Sequence, residues 1–180
     1  MSVQKLSTRK ILEKNLSRTS PKKLQQLKVW VHDIRSLHNV GAVFRSADAF
    51  GISEVLLSGF TPTPPRPEIT KTAIGAEEYV DWLHREDPRQ ILQYLQQENY
   101  HIVGMEQTTN SIPLPEYSPG EQPLCLLFGN EVTGIDDNLL DAVDVFVEIP
   151  QYGHKHSLNI SVSVGTVLYG ILEKCWYEMD

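Results

Sequence analysis

Three short segments of the sequence combine small or glycine residues with polar side chains that are suited to catalysis. In the first segment, Asn39 precedes Arg45 by six residues, close to two turns of a helix. An arginine among small apolar neighbours could orient a phosphate or a ribose, because its guanidinium donates several hydrogen bonds. Two structural alternatives stay open: Asn39 is also a good helix cap, and Asp48 could pair with Arg45 one turn later.

The second segment places Glu131 between two glycines, Gly129 and Gly134, directly after an apolar run. Glycines allow a ligand to approach the backbone closely. The glycine spacing resembles the start of a phosphate-binding loop, but the required Lys-Ser/Thr pair is replaced by Ile135-Asp136, which excludes that class of nucleotide-hydrolysing enzyme. No G-x-G-x-x-G dinucleotide fingerprint occurs. A solvated carboxylate in a loop is the structural alternative for Glu131.

The third segment covers residues 150–159 and ends in Ser157 and Asn159, either of which could simply cap the following helix. His154 and His156 suggest a metal site at first sight. Zinc needs three or four protein ligands, and the segment has neither cysteines nor an H-E-x-x-H helix. We therefore predict no metal, and expect this loop to add positive charge near a polyanion.

The charge distribution also indicates a polyanionic partner, although the whole chain carries a net charge of -7. Residues 1–50 hold ten basic and three acidic residues, a net charge of +7, whereas residues 51–180 hold six basic and twenty acidic residues, a net charge of -14. This asymmetry predicts that one region contacts nucleic acid. A basic, solvated helix is the alternative. The predicted RNA-binding residues are Lys10, Lys14, Arg18, Lys22, Lys23, His154 and Lys155.

Composition is ordinary for a soluble globular protein: 180 residues, 41% hydrophobic and 22% charged. That length fits one domain with a real core. Two cysteines, Cys125 and Cys175, cannot form a disulfide framework. No apolar stretch approaches a membrane span, and the polar N-terminus has no secretory segment. We expect a cytoplasmic protein with reduced thiols and no membrane contact.

Strand-like and helix-like segments alternate along the chain, which predicts an α/β domain with a mostly parallel sheet flanked by helices. Residues 1–28 are predicted to form a basic helical arm that breaks near Pro21, and residues 29–180 the domain. In open sheets of this kind, ligands bind at the carboxyl ends of the strands, where the three segments lie. The predicted strands are Val29–Ile34, Glu54–Leu57, Tyr79–Leu83, His101–Met105, Leu124–Phe128 and Val145–Ile149. The predicted helices are Asn39–Phe50, Pro88–Glu98, Asp136–Val143 and Asn159–Trp176, with loops at Thr61–Pro67 and Thr108–Gln122.

Taken together, the order and spacing of the three segments resemble the motifs of the SpoU family, the TrmH-like RNA ribose 2′-O-methyltransferases of the SPOUT superfamily. The resemblance covers about residues 29–176. Residues 104–108 are also similar to a segment of the eukaryotic tRNA guanosine-18 methyltransferases. The matching motifs are Asn39-x5-Arg45, Phe128-Gly129-Asn130-Glu131-x2-Gly134, and Ile149-Pro150 followed by Gly153 and Ser157-Leu158-Asn159-Ile160-Ser161-Val162-Ser163.

The resemblance implies a SPOUT fold, in which the C-terminal segment, about residues 124–170 here, forms a deep trefoil knot. It implies that this knot binds S-adenosylmethionine, and that the protein acts as a homodimer with sites built from both subunits. The implied cofactor-binding residues are Leu127, Phe128, Gly129, Asn130, Gly134, Ile149, Pro150, Ser157 and Leu158.

The resemblance assigns the central catalytic role to Arg45, supplied by the partner subunit. A guanidinium holds its proton at neutral pH, so Arg45 is expected to orient and stabilise the reacting oxygen while an RNA phosphate relays the proton. Asn39, Glu131, Ser157 and Asn159 are expected to orient Arg45, the ribose or the catalytic loops.

The resulting prediction is an RNA 2′-O-methyltransferase that acts on tRNA in preference to rRNA, at a guanosine. Three alternatives stay open: an rRNA methyltransferase, a non-catalytic RNA-binding protein of the same fold, and an unrelated nucleotide-binding module. The residues favour catalysis, because each polar position of the three motifs is intact.

Overall fold

A computed structural model describes residues 3–176, and its strands form a single sheet in which every pairing is parallel. Within those residues seven strands lie in the order β3-β2-β1-β6-β4-β7-β5. The α/β class and the parallel sheet predicted from the sequence are therefore confirmed. The strands are β1 (Leu27–His32), β2 (Glu54–Ser58), β3 (Asp81–Arg85), β4 (His101–Met105), β5 (Ile112–Pro113), β6 (Leu124–Phe128) and β7 (Val145–Glu148).

Helices cover both faces of the sheet. The segment from α3 to α4 packs with α7 on one face, whereas α5 and α6 contribute to a smaller core on the other. A short 3-10 helix, Ala76–Glu78, follows α4. The helices are α1 (Thr8–Leu16), α2 (Lys22–Gln25), α3 (Leu37–Phe50), α4 (Pro67–Ala73), α5 (Pro88–Gln97), α6 (Asp137–Leu140) and α7 (Ile160–Trp176).

The central strands are largely apolar because both of their faces are buried, although β1 also buries Lys28 and His32. In β6, for example, Leu126 and Phe128 pack into the core beneath α3 and α7, while Cys125 and Leu127 pack into the core beside α5. Side chains alternate across the sheet even though hydrophobicity does not. The sequence pattern therefore predicted the bounds of β4 and β6 correctly.

Several boundaries differ from prediction, two of them for identifiable reasons. Helix α3 begins at Leu37, because the Ser36 hydroxyl accepts a hydrogen bond from the Asn39 amide and caps the helix. The proline-rich segment ends one residue early, since Pro67 occupies the first turn of α4, where its fixed φ angle suits a helix. Helix α4 itself was not predicted. Strand β1 starts at Leu27, two residues before its predicted start.

The basic N-terminal region forms two helices, α1 and α2, and the interruption between them includes Pro21, near which the break was predicted. None of the α1 residues is buried, whereas Leu24 of α2 lies in the main core. The boundary predicted after residue 28 falls inside β1, and the division into arm and domain stays a prediction. The trefoil knot also stays a prediction, because strand pairing alone does not define how a chain threads.

Candidate active site

A cavity of about 370 Å³ opens at the carboxyl edge of the sheet, where β4, β6 and β7 end. Three chain segments surround it: the end of β4, the loop after β6, and the segment that joins β7 to α7. The lining residues are Met105, Glu106, Gln107, Phe128, Gly129, Asn130, Glu131, Val132, Gly134, Val147, Glu148, Ile149, Gln151, His156, Ser157, Leu158, Ile160 and Ser163. Two of the three segments selected from the sequence thus meet at one cavity.

The loop after β6 folds back on itself, and this requires both of its glycines. The amide and carbonyl of Asn130 exchange hydrogen bonds of 2.9 and 3.0 Å with those of Gly134. A Cβ atom at Gly129 would lie 2.2 Å from the Gly134 carbonyl carbon. Gly134 has a φ of 75°, and a Cβ atom there would lie 2.3 Å from the Glu106 carboxylate. The glycines therefore let the backbone close into a compact turn over the cavity.

Two consecutive side chains at the end of β4 hold the loops on either side of the cavity. The Glu106 carboxylate accepts a hydrogen bond from the Ile135 amide at 3.2 Å. The Gln107 side-chain amide donates to the carbonyl of His156 at 2.8 Å, directly before the Ser157-Leu158 pair. Neither residue was included in the predicted site, although the similarity of residues 104–108 to tRNA methyltransferases was a usable signal.

An amide and carboxylate network links the three predicted motifs. The Asn39 side-chain NH₂ donates to Glu131 at 3.0 Å, and its oxygen accepts from the Asn159 side chain at 3.2 Å. The oxygen of Asn159 in turn accepts from the backbone and hydroxyl of Ser161. Asn159 therefore caps α7 and orients Asn39 at once, whereas the capping alternative for Asn39 is wrong because Ser36 caps α3.

Arg45 is exposed on α3 and does not line the cavity of its own chain. Among the residues that the structure describes, its guanidinium makes no hydrogen bond or ion pair, so the predicted alternative of an Arg45–Asp48 pair is not found. The cavity itself carries three carboxylates, Glu106, Glu131 and Glu148. The residues of one chain thus provide an acidic pocket and, separately, an unpaired arginine.

Seven of the nine predicted cofactor-binding residues line the cavity. They are Phe128, Gly129, Asn130, Gly134, Ile149, Ser157 and Leu158. The other two do not: Leu127 is fully buried in the core beside α5, and Pro150 lies just outside the lining. The predicted catalytic residues Glu131 and Ser157 line the cavity, and Asn39 and Asn159 border it through their hydrogen bonds.

Most of the predicted RNA-binding side chains are exposed: Lys10, Lys14 and Arg18 in or just after α1, Lys22 in α2, and His154 and Lys155 before α7. Lys23 differs, because its ammonium donates to the carbonyls of Gly120 and Gln122. Within residues 3–176, no helix is long and apolar enough to cross a membrane, and no three His, Cys, Asp or Glu side chains converge as metal ligands.

Comparison with known proteins identifies the same family as the sequence motifs. A sequence profile described as the SpoU rRNA Methylase family matches residues 26–169. A Mus musculus protein named tRNA (guanosine(18)-2′-O)-methyltransferase TARBP1 is 37% identical over 134 residues, which are 73% of this chain and 8% of that protein. A Borreliella burgdorferi protein named tRNA (guanosine(18)-2′-O)-methyltransferase is 28% identical over 143 residues, 79% of this chain and 64% of that protein.

Among solved structures, the A. aeolicus TrmH/SpoU tRNA modifying enzyme superposes with a TM-score of 0.77 at 25% identity, over 93% of this chain and 86% of that one. The chain spans less than two thirds of the length of the two curated relatives named above.

Proposed function

Because this chain belongs to the SpoU rRNA Methylase family, we propose that it is an S-adenosylmethionine-dependent methyltransferase that modifies a ribose 2′-hydroxyl of RNA. The observation that carries this proposal is the cavity at the carboxyl edge of the sheet. Its walls come from the family motifs after β6 and before α7, and the Asn39 network connects them to the third motif.

The cavity residues fit the cofactor chemically. S-Adenosylmethionine has a flat aromatic adenine, a positively charged sulfonium, and an amino acid end with an ammonium and a carboxylate. Apolar side chains of Phe128, Ile149 and Leu158 suit the adenine, and the carboxylates of Glu106, Glu131 and Glu148 complement the positive charge. The cofactor, when bound, supplies an activated methyl group. The protein therefore has to position a ribose oxygen and assist the loss of its proton.

The side chains that border the cavity are suited to positioning the ribose. Glu131 and Asn159 fix the orientation of the Asn39 amide from both sides, so that this amide is held without rotational freedom. Ser157 lines the cavity, and its hydroxyl, which has no partner among the described residues, is available to a ribose oxygen. Arg45 would stabilise negative charge on the attacking oxygen while keeping its own proton.

Arg45 reaches the reacting oxygen in this proposal from a second copy of the chain, because it lies outside its own cavity. Helix α7 offers a surface for such a copy. Its outward face carries Val162, Tyr169 and Trp176, which are 51, 59 and 55% exposed, and Leu158 extends this apolar surface beside the cavity. Exposed apolar side chains in one stripe are typical of a protein–protein interface.

We propose tRNA as the RNA and guanosine as the target nucleoside. The mouse and Borreliella relatives carry names that specify this nucleoside, and the residues 104–108 that resemble such enzymes hold both cavity loops. An rRNA target is the second candidate, favoured by the family description.

The exposed basic side chains in and beside α1 are proposed to contact the RNA backbone. Deletion of residues 1–18 keeps Leu24 and β1 in place and removes five basic side chains, Lys5, Arg9, Lys10, Lys14 and Arg18. Each lost phosphate contact should lower the slope of log affinity against log salt by about 0.7 to 0.9. An unchanged slope, measured by filter binding at several salt concentrations, would contradict this contact.

The function is tested by incubating the purified protein with radiolabelled S-adenosylmethionine and with total tRNA or rRNA from cells that lack its gene. Labelled RNA is digested, and the modified nucleotide is identified by mass spectrometry. We expect one 2′-O-methylated guanosine in tRNA. Label confined to rRNA would identify rRNA as the target instead. If the protein bound the cofactor but labelled no RNA, a non-catalytic RNA-binding protein would be favoured.

A complementation experiment tests the role of Arg45. Arg45→Ala should lower kcat by at least about a hundredfold and leave cofactor affinity unchanged. Glu131→Ala should be inactive as well. Mixing the two variants should restore about a quarter of wild-type activity, because half of the dimers are mixed and each has one intact site. No recovery, with mixed dimers formed, would place Arg45 in the site of its own chain.

A further inference from the structure

A second cavity, of about 280 Å³, lies on the other side of the loop that follows β6. It shares Asn130 and Gly134 with the candidate cofactor cavity, so the two are separated by the thickness of one loop. Its lining is mostly polar and none of the residues is part of a family motif assigned above, apart from the shared pair. The lining residues are His32, Asp33, Asn130, Thr133, Gly134, Ile135, Asp136 and Asp137.

The histidine of this cavity is buried and half-satisfied. Its Nδ1 lies 2.8 Å from the Ser58 hydroxyl, which already accepts a hydrogen bond from the Trp30 indole at 2.8 Å. Within residues 3–176, the Ser58 hydroxyl hydrogen has an acceptor only in Nδ1, and this arrangement places the ring proton on Nε2. Among the described residues, Nε2 has no hydrogen-bond partner, although only 4% of the side chain is exposed. A buried donor left unpaired in this way is costly unless a ligand completes it.

Two carboxylate oxygens approach that nitrogen from different loops. Oδ2 of Asp33 is 3.5 Å from His32 Nε2, and Oδ2 of Asp136 is 3.9 Å from it. In each residue Oδ1 is already engaged: Asp33 accepts from the Phe60 amide at 3.1 Å, and Asp136 accepts from the Asn138 amide at 3.0 Å. Each carboxylate is thus fixed through one oxygen and offers the other to the cavity.

The arrangement of one N–H donor beside two carboxylate acceptors selects among the groups that RNA can present. A phosphate would be repelled by the carboxylates. The Watson–Crick edge of guanine offers one acceptor, O6, and two donors, N1–H and N2–H₂, which complement the three groups. Adenine, cytosine and uracil each offer donors at one position of that edge only. We propose that this second cavity binds the guanine base of the nucleotide to be methylated, an inference that rests on the proposed function.

The position of the cavity agrees with this role. A base is joined directly to the ribose that carries the reacting hydroxyl, so its pocket must adjoin the site of methyl transfer, as the shared Asn130 and Gly134 ensure. Phe60, held by Asp33, is 55% exposed, and the Arg35 guanidinium lies 5.9 Å from its ring centroid. Aromatic and guanidinium planes are the surfaces on which proteins stack unpaired RNA bases.

The test is a cycle that changes the RNA and the protein separately. The activity of the wild-type protein is measured on the RNA that it methylates and on the same RNA with inosine in place of guanosine at the target position. Inosine differs from guanosine only in lacking the N2 amino group. We expect kcat/KM to fall about tenfold with inosine. The double variant Asp33→Asn/Asp136→Asn should lose this discrimination, with a ratio of about two or less.

Both substitutions preserve the local structure. Asparagine tolerates the φ of 56° at position 33 and caps helices as well as aspartate does. Asp141→Asn is the matched control, because Asp141 lies at the end of the same helix, α6, outside the cavity. We expect this control to retain the tenfold preference. Equal thermal unfolding temperatures for the three proteins would establish that folding is unaffected.

Binding of guanosine, inosine and adenosine 5′-monophosphates, measured by calorimetry, separates this inference from the proposed function. Guanine-selective binding that the double variant loses would support the pocket even if no RNA were methylated. A mapped target other than guanosine would overturn it. So would methyl transfer whose preference for guanosine over inosine is the same in the wild type and the double variant.

Discussion

Each end of β1 carries a buried basic side chain, and the two differ in how many hydrogen-bond partners the protein gives them. At the amino end, Lys28 donates to Glu54 and to the Tyr94 hydroxyl, and its ammonium lies 5.1 Å from the ring centroids of Tyr94 and Tyr100. At the carboxyl end, His32 has a partner on one nitrogen only. The amino edge of the sheet is closed by its own side chains, whereas the carboxyl edge leaves polar groups for ligands.

The contrast arises on a single face of the strand, because Lys28, Trp30 and His32 alternate with the apolar residues between them. Burial by itself would lower the pKa of Lys28, but the hydrogen bonds to Glu54 and Tyr94 and the charge of Glu54 together raise it above its ordinary value. Burial raises the pKa of the Cys125 thiol on the neighbouring strand, although the nearby charge of Lys28 acts in the opposite direction. Lys28, Glu54 and Tyr94 at this edge are therefore paired with one another.

The largest effect is expected at the amino edge. Lys28→Met should lower the free energy of unfolding by about 3 kcal/mol, because it leaves the partly buried carboxylate of Glu54 without its charged partner. Methyl transfer per folded molecule should not change, since Lys28 is remote from both cavities. Chemical denaturation and kcat measure the two quantities.

The double variant Lys28→Met/Glu54→Leu serves as the control for this prediction. It should recover most of the lost stability, because an apolar pair of similar size needs no charge compensation. Since the pKa of Lys28 is raised in the folded state, its contribution is fully present below the ordinary lysine pKa and is lost only as pH rises through the folded value. If Lys28→Met lost activity without losing stability, the amino edge would not have the purely stabilising role that distinguishes it here from the carboxyl edge.

A second variant tests the carboxyl edge. Asn39→Asp keeps the shape of the side chain but replaces the NH₂ group that donates to Glu131 with a carboxylate oxygen. We expect kcat to fall about tenfold, because one hydrogen bond is lost and two like charges face each other. The unfolding temperature should change little. Gln93→Glu on the exposed face of α5 introduces the same charge and should leave kcat unaltered. Equal kcat in both variants would exclude a positioning role for Asn39.

The sequence predicted the carboxyl edge better than the amino edge, for physical reasons. Continuous apolar runs mark β4 and β6, and glycines at positions 129 and 134 mark the turn between a buried strand and a ligand site. The polar cluster around Lys28 could not be predicted, because its partners lie 26 to 66 residues away in sequence and meet only in the folded sheet. Lys28 was accordingly counted with the basic N-terminal residues, although it is buried.

The side-chain network of the site could not be predicted from the sequence either. Asn39 and Asn159 are 120 residues apart, and whether Asn39 caps a helix or orients a partner depends on Ser36, which takes the capping position. Glu106 and Gln107 carry no periodic or glycine signal, so only the resemblance of the surrounding residues marked them. Residue types predicted what the site contains, and tertiary contacts decided which atoms are engaged.

The smallest effect is expected at Gln107, whose side chain donates a hydrogen bond to the loop before α7. Gln107→Glu preserves size but cannot donate to the His156 carbonyl, so the loop loses one hydrogen bond. One such bond contributes about 1 kcal/mol, which corresponds to about a fivefold weaker cofactor affinity in calorimetry. kcat at saturating cofactor should stay within about twofold, because the loop closes again once the cofactor fills the cavity. Gln93→Glu again controls for the added charge. A fall in kcat with unchanged cofactor affinity would mean that Gln107 acts on the ribose side of the cavity. Cofactor binding and ribose positioning at the carboxyl edge would then not be carried by separate groups.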